Sequence, residues 1–341
     1  MSGVADLVYR PVVGRLVLLP LCRWGLRRQR AAGTTPRVAY RAMRKLYGND
    51  DPRLFASLED EVVRDRPSEE VGDDPAGVAS GEIDRLVADL RRDGYAVLAQ
   101  QLPSEVCDEI EAVARQATCT VIGGAPSTPE RARWDPASPW TVRANLEESD
   151  IVQAPAVQRF VADESLLALA QAYLGAAPVQ DLVAMWWSAA PELAAVAPDT
   201  DAAAQEFHFD LDRLRWLKVF VLLSDVDDRH GPHVYARGSH RDRPAALRRD
   251  GRKPDRMVEE AFPDGIVRLG GPRGTIFAVD TRGLHKGAPL EEGQRLMFQV
   301  EYAVSLFGAP YGQPTVQQPT EELVAAAARH GDVFARFRLS A

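Results

Sequence analysis

The chain has 341 residues, 45% hydrophobic and 26% charged, enough to bury a substantial core in one large domain or two smaller ones, which argues against a disordered or fibrous protein. Its formal charge of −8 argues against nucleic acid as a partner. Cys22, Cys107 and Cys119 form no CxxC and no even framework, which disfavours a disulfide scaffold or a thiolate zinc site and fits free thiols in a reducing, cytoplasmic compartment.

Residues 1–49 carry ten Arg and Lys against one acid, Asp6, so the basic charge is concentrated at the start of the chain. Within that arm Val12–Cys22 is apolar but too short to span a bilayer, and Arg15 and Pro20 interrupt it. The arm reads as a segment packed on the domain or partly disordered, with a peripheral membrane contact as the alternative. Residues 50–81 are rich in Asp, Glu, Pro and Gly and read as a polar connection. Order resumes at Glu82: Ile83, Leu86, Val87 and Leu90 fall at helical spacing, and Gly94 is placed to end the helix in a left-handed cap. A short strand, Tyr95–Leu98, follows. A second helix from Ser104 puts Val106, Ile110 and Val113 on one face, and a third after Asp163 turns Leu166, Leu169, Ala170, Tyr173 and Leu174 inward and stops at Gly175. Beyond Gly175 the pattern changes to short β-branched and aromatic runs, Leu182–Trp187, Trp216–Leu223, Gly274–Val279 and Leu296–Val304. Helices first and many strands afterwards predict a mainly β fold, a barrel or double-sheet jelly roll with flanking helices.

The six histidines all fall between His208 and His330. Glu206-Phe-His-Phe-Asp210 is the sharpest element. In a strand, alternate side chains share a face, so His208 and Asp210 point one way while Phe207 and Phe209 point the other. An imidazole and a carboxylate on one face need only a third ligand from another strand to make a 2-His-1-carboxylate metal set with open positions for O₂ and a bidentate co-substrate. The H-x-D pattern is weak alone. Downstream, Gly274–Val279 runs through a turn to His285, and Arg295 opens the next strand. Two antiparallel strands joined by the Lys286–Gly293 turn are expected to bring Arg295 close to His285. An arginine there suits a carboxylate, which its planar fork grips in a bidentate manner, whereas alone it could equally be a surface ion pair.

These pieces together resemble the phytanoyl-CoA dioxygenase family. The likeness runs from about Glu82 to Val304. It comprises Leu90-Arg-Arg-Asp-Gly-Tyr-Ala-Val-Leu98, the helix end Tyr173-Leu-Gly175, Phe-His-Phe-Asp210, Leu217–Asp225, Gly231-Pro-His-Val-Tyr-Ala-Arg-Gly-Ser-His240, and the Gly274–His285 block with Arg295. The resemblance implies a cupin-like, double-stranded β-helix core. It also implies Fe(II) held by His208, Asp210 and His285, with Arg295 on the distal carboxylate of 2-oxoglutarate. The implied reaction couples oxidative decarboxylation of 2-oxoglutarate, to succinate and CO₂, with O₂-dependent oxidation of a C–H bond in a small-molecule substrate. Asp210 favours hydroxylation, since related halogenases lack that carboxylate. Phe207 and Arg237 stand where many members carry Trp and Pro; both lie outside the ligand set. The domain division that follows is a basic arm and polar connection over 1–81, a dioxygenase domain over 82–310, and a helical extension over 311–341. The competing readings are a jelly-roll metalloprotein that does not use 2-oxoglutarate, and a metal-free binding module.

Other polar residues have plainer expectations. His233 and His240, in turn-rich sequence, are expected to hydrogen-bond within the fold, and His230 and His330 to be exposed. Lys218 interrupts an apolar strand, and either lines the co-substrate pocket or extends its ammonium to the surface. Of Trp186 and Trp187, one is expected in the core and one beside the site. Eight basic residues between Arg237 and Arg256 form an insert that reads as a solvated loop, with recognition of an anionic substrate as the alternative.

Overall fold

Alternation along two long strands organises the molecule. In Trp216–Leu222, the side chains of Leu217, Val219 and Val221 enter one cluster with helices, whereas Phe220 and Leu222 enter another on the opposite face. Gln294–Ala303 repeats the pattern: Leu296, Phe298, Val300 and Tyr302 face the helices, and Met297 faces away. This is the period of two that a strand buried on both faces must show.

The computed structural model describes residues 12–48, 51–69, 71, 80–122, 130–135, 143–190 and 204–340. Arg10 of the basic arm and most of the Ala/Pro-rich stretch, 191–203, lie outside the described residues. Eleven strands build the core: β1 (Tyr95–Gln101), β2 (Thr118–Ile122), β3 (Arg131–Arg133), β4 (Arg143–Leu146), β5 (Val179–Ala189), β6 (Trp216–Leu222), β7 (His233–Ala236), β8 (Ile266–Leu269), β9 (Thr275–Val279), β10 (His285–Gly287) and β11 (Gln294–Ala303). Eight form an antiparallel sheet in the order β1-β9-β6-β11-β5-β4-β2-β3, and three form a second sheet, β10-β7-β8. The sheets face each other across a shared cluster in which Trp186, Phe220, Phe277 and Met297 of the large sheet meet Tyr235 and Leu269 of the small one. The fold is the predicted jelly roll with helices flanking the large sheet.

The predicted helices form where their caps place them. Ser80–Asp93 ends at Gly94, whose φ of +89° is left-handed. Its N–H bonds the Leu90 carbonyl at 2.9 Å, and a Cβ there would lie 2.2 Å from the Tyr235 hydroxyl oxygen, so both conformation and space require glycine. Glu164–Leu174 begins under the Asp163 carboxylate, which accepts from two backbone N–H groups, and stops at the left-handed Gly175.

One element departs from the sequence reading. Within the stretch expected to be a polar connection, Pro52–Arg64 is a helix, capped by Asp51, and it buries Phe55, Leu58 and Val62 in the main cluster. Together with the helices Leu19–Ala32 and Arg37–Tyr47 it packs on the rest of the chain, and Leu26, Met43 and Leu46 are at most 1% exposed. The basic residues of this region make mostly exposed ion pairs, such as Arg23 with Glu61 at 2.8 Å and Arg30 with Asp65 at 2.6 Å, which stabilise little. Among the described residues no helix is long and apolar enough to cross a membrane. Towards the other end, the helix Glu321–Arg329 and the buried Val333 and Phe334 join the same cluster.

Candidate metal centre

The segment carrying His208 and Asp210 is extended but not a full strand. Phe207 bridges Lys253, and His208 bridges His285 through reciprocal backbone bonds of 2.8 and 2.9 Å. Alternation still holds: Phe207 and Phe209 pack in a cluster with Leu247 and Val258, while His208 and Asp210 line a cavity between the sheets. Asp210 is fixed by its own N–H, which donates to the Thr281 carbonyl at 2.9 Å. His208, Asp210 and His285 each present one ligand atom to this cavity, all within 4.8 Å of one another.

The imidazole tautomers follow from hydrogen bonding. Nδ1 of His208 lies 2.8 Å from the Glu206 carbonyl oxygen, and Nδ1 of His285 lies 2.9 Å from that of Gly283. A carbonyl only accepts, so each Nδ1 carries the proton and each Nε2 keeps a lone pair facing Asp210, 3.7 Å from its carboxylate oxygens. Burial, and then the neighbouring His285, push His208 down to about 3, and burial lowers His285 as well, so both rings are neutral at neutral pH. Burial disfavours the charge on Asp210, but the Lys218 ammonium and the two imidazoles overcome this and hold the carboxyl below the usual range. Two neutral imidazoles and an ionised carboxylate on one side of a cavity fit a divalent metal, and they resemble the donor set that leaves coordination positions free.

The cavity has a volume of about 190 Å³. Lys218, at 8% exposure, lines this cavity and does not extend its ammonium to the surface: Nζ lies 2.7 Å from Asp210 and 3.4 Å from Glu301. Arg295 reaches the cavity by a route the sequence did not suggest. β10 pairs with β7 in the small sheet, whereas β11 pairs with β5 and β6 in the large one, so no hairpin joins His285 to Arg295. They meet because the two sheets close over one another. Arg295 is buried, with Nε lacking a hydrogen-bond partner among the described residues and one terminal nitrogen 3.4 Å from the Ser188 hydroxyl. Burial, and then the guanidinium of Arg143, pull it down to about 9.

Arg143 is a wall residue that the sequence reading missed. It sits opposite Ser188 on β5, which is itself opposite Arg295 on β11, so the two arginines flank one serine across three strands. Its guanidinium stacks over Trp186 at 4.4 Å and donates to Asn145 at 2.8 Å. Trp186 therefore borders the cavity, and Trp187, 2% exposed, belongs to the core.

Three histidines differ from expectation, among them His240, whose two ring nitrogens are buried without a hydrogen-bond partner among the described residues. His233 is buried in the cavity wall, stacked on His285 with ring centres 5.3 Å apart, and its Nε2 has no hydrogen-bond partner among the described residues. It packs against the His285 ring, and Nε2 does not make the bond expected of it. His330 is 4% exposed and lies between Glu69 at 3.1 Å and Glu164 at 3.0 Å. The basic insert is also only partly solvated: Arg243 is 6% exposed and covers Phe209 at 4.0 Å.

The family profile described as phytanoyl-CoA dioxygenase matches residues 90–334, well over half of the chain. No curated protein matches the sequence. Among solved structures, EctD from S. alaskensis with bound Fe is 20% identical, with 81% of this chain and 94% of that one covered and a TM-score of 0.47. HygX from Streptomyces hygroscopicus with nickel and 2-oxoglutarate bound is 16% identical, covering 70% and 92%, with a TM-score of 0.46. The epimerase SnoN in complex with Fe3+, alpha ketoglutarate and nogalamycin RO is 21% identical, covering 66% and 84%, with a TM-score of 0.46.

Proposed function

The chain belongs to the phytanoyl-CoA dioxygenase family of iron(II)- and 2-oxoglutarate-dependent enzymes, and on that premise we propose that it hydroxylates a small molecule, with His208, Asp210 and His285 as its iron ligands. The observation that carries this reading is the convergence of three ligand atoms on a cavity that also holds a buried, under-bonded arginine. Arg295 is the anchor for the distal carboxylate of 2-oxoglutarate. An arginine that has already lost its water and lacks partners on one edge gains most from a bidentate anion. Arg143 adds a second positive charge to the same wall, which raises the pocket's attraction for a dianion.

Fe(II) with 2-oxoglutarate and O₂ supplies, when bound, the oxidising power that yields succinate, CO₂ and an oxidised substrate. What the protein contributes is placement. The carbonyls of Glu206 and Gly283 orient the two imidazoles, and Lys218 holds one oxygen of Asp210, so the ligands are set before a metal arrives. Phe220, Trp186 and Met297 line the cavity with apolar surface that limits its water. Retention of the carboxylate ligand favours hydroxylation of the substrate.

Anaerobic addition of Fe(II) and then 2-oxoglutarate tests the reading. A visible metal-to-ligand charge-transfer band is expected in the wild type and absent in Asp210→Ala, which also loses more than about 100-fold in 2-oxoglutarate turnover. Iron uptake without the band would remove 2-oxoglutarate from the proposal. No uptake, or full activity in Asp210→Ala, would remove the ligand assignment.

A further inference from the structure

A second cavity, of about 280 Å³, lies between the N-terminal helices and the basic insert, with Tyr47, Pro52 and Phe55 on one side and Arg241, Arg243 and Arg248 on the other. No residue lines both this cleft and the metal pocket. They are separated by the segment that carries Phe209. The ring of Phe209 packs against Tyr47 and Arg243, while its neighbours His208 and Asp210 face the metal side.

The charges in this cleft do not balance. A fourth arginine there, Arg282, is matched by Asp280 and by Glu59 at 2.7 Å. The other three find only neutral acceptors among the described residues. Arg241 donates to the Arg92 carbonyl at 3.0 Å, Arg248 to the Arg243 carbonyl at 2.9 Å, and Arg243 to the Tyr47 hydroxyl. Arg243 is the informative one. At 6% exposure it has given up its hydration, and its Nε and Nη1 have no hydrogen-bond partner among the described residues. A guanidinium removed from water without a counter-ion is costly, and the cost is offset when an anion shares the site. The faces of Phe209, at 4.0 Å, and Tyr47, at 5.4 Å, fix the orientation of its plane, which preorganises the fork for an oxyanion. Across the cleft, Pro52 and Phe55 supply an apolar wall.

We infer that this cleft binds a small organic phosphate, with the dianionic head among Arg241, Arg243 and Arg248 and an apolar body against Pro52 and Phe55. Three unmatched positive charges favour a phosphate dianion over a single carboxylate, and the apolar wall favours an ester over the bare ion. The site is independent of iron and of 2-oxoglutarate, so it can be tested on metal-free, full-length protein.

Isothermal titration with phenyl phosphate, inorganic phosphate and benzoate makes the test. Phenyl phosphate is expected to bind one per chain and more tightly than either of the others. Arg248→Ala, at an exposed position, and Arg243→Lys should each weaken it about tenfold or more, the loss of one charge-assisted contact. Arg256→Ala, on the surface helix Asp255–Ala261 and paired with Glu260, should leave the affinity unchanged. So should Arg295→Met in the metal pocket. Absence of saturable binding by any probe overturns the inference, as does benzoate binding as tightly as phenyl phosphate. Equal loss in Arg256→Ala would mean attraction to surface charge alone, and loss in Arg295→Met would mean the phosphate sits in the metal pocket; either overturns it too.

Discussion

The two faces of the large sheet are made by the same strands and do opposite work. On β11, Leu296, Phe298, Val300 and Tyr302 face the helices and are fully buried, while Arg295, Gln299 and Glu301, also nearly inaccessible, face the small sheet. On β6, Leu217, Val219 and Val221 contrast with Lys218 in the same way. One face is apolar and closely packed. The other mixes an apolar cluster around Phe220 and Met297 with buried charged groups, at a desolvation cost that apolar burial must offset. The lesson is that burial alone does not separate core from site in this molecule; what separates them is whether a buried group has its partners. Phe298 needs none, Lys218 has two, and Arg295 is short of them.

Substitutions on each face sharpen the contrast. Phe298→Ala, on the helix side, should cost about 3–5 kcal/mol in chemical denaturation and leave the affinity of the folded protein for 2-oxoglutarate unchanged. A loss of affinity with no loss of stability would break the division between the faces. Arg295→Met, one strand position-set over on the opposite face, should do the reverse, weakening 2-oxoglutarate by about 1.5–3 kcal/mol, or roughly 10- to 150-fold, with iron binding and stability little changed. Competition by 2-oxoglutarate analogues in equilibrium dialysis would measure it.

A smaller effect is expected beyond the sheet faces, where Asp280 is bonded by Arg282 and by the Tyr173 hydroxyl at 2.7 Å. Burial opposes its charge, but Arg282 prevails and brings the carboxyl to about 2 from a usual 3.8. A depressed carboxylate stabilises the fold above its unfolded value, so about 2 kcal/mol is present at neutral pH and is lost as pH falls from near 4 through about 2. Asp280→Asn should remove that contribution and flatten this part of the acid-unfolding curve. An unchanged curve would show that the contacts around Asp280 are energetically neutral.

Much of the architecture was legible because it follows from local rules. Continuous β-branched and aromatic runs exposed β6 and β11, and Asp163, Gly175 and Gly94 marked helix ends through capping chemistry and left-handed geometry. The H-x-D pair was legible because neighbouring side chains in extended chain must diverge. What stayed hidden depends on contacts distant in sequence. Pro52–Arg64 looked like a connection because Glu59, Asp60 and Glu61 crowd the interval between Leu58 and Val62. His330 looked exposed because its partners, Glu69 and Glu164, lie 261 and 166 residues away. Arg143 carries no local mark at all: only the pairing of β4 with β5 brings it beside Ser188 and Arg295. Arg295 was found through a hairpin that does not exist, because proximity across two facing sheets leaves the same short sequence spacing as a turn.

The paired backbone bonds between His208 and His285 hold the two residues opposite one another at the spacing of neighbouring strands. The long excursion from residue 209 to residue 284 begins and ends at that bridge. That excursion carries β6 to β9, Asp210 and the cavity-wall residues Lys218, Phe220 and His233, so only its exposed connections are free to change length, and there a longer loop costs entropy only logarithmically. A scaffold wired in this way can vary its exposed loops while the two imidazoles stay as they are.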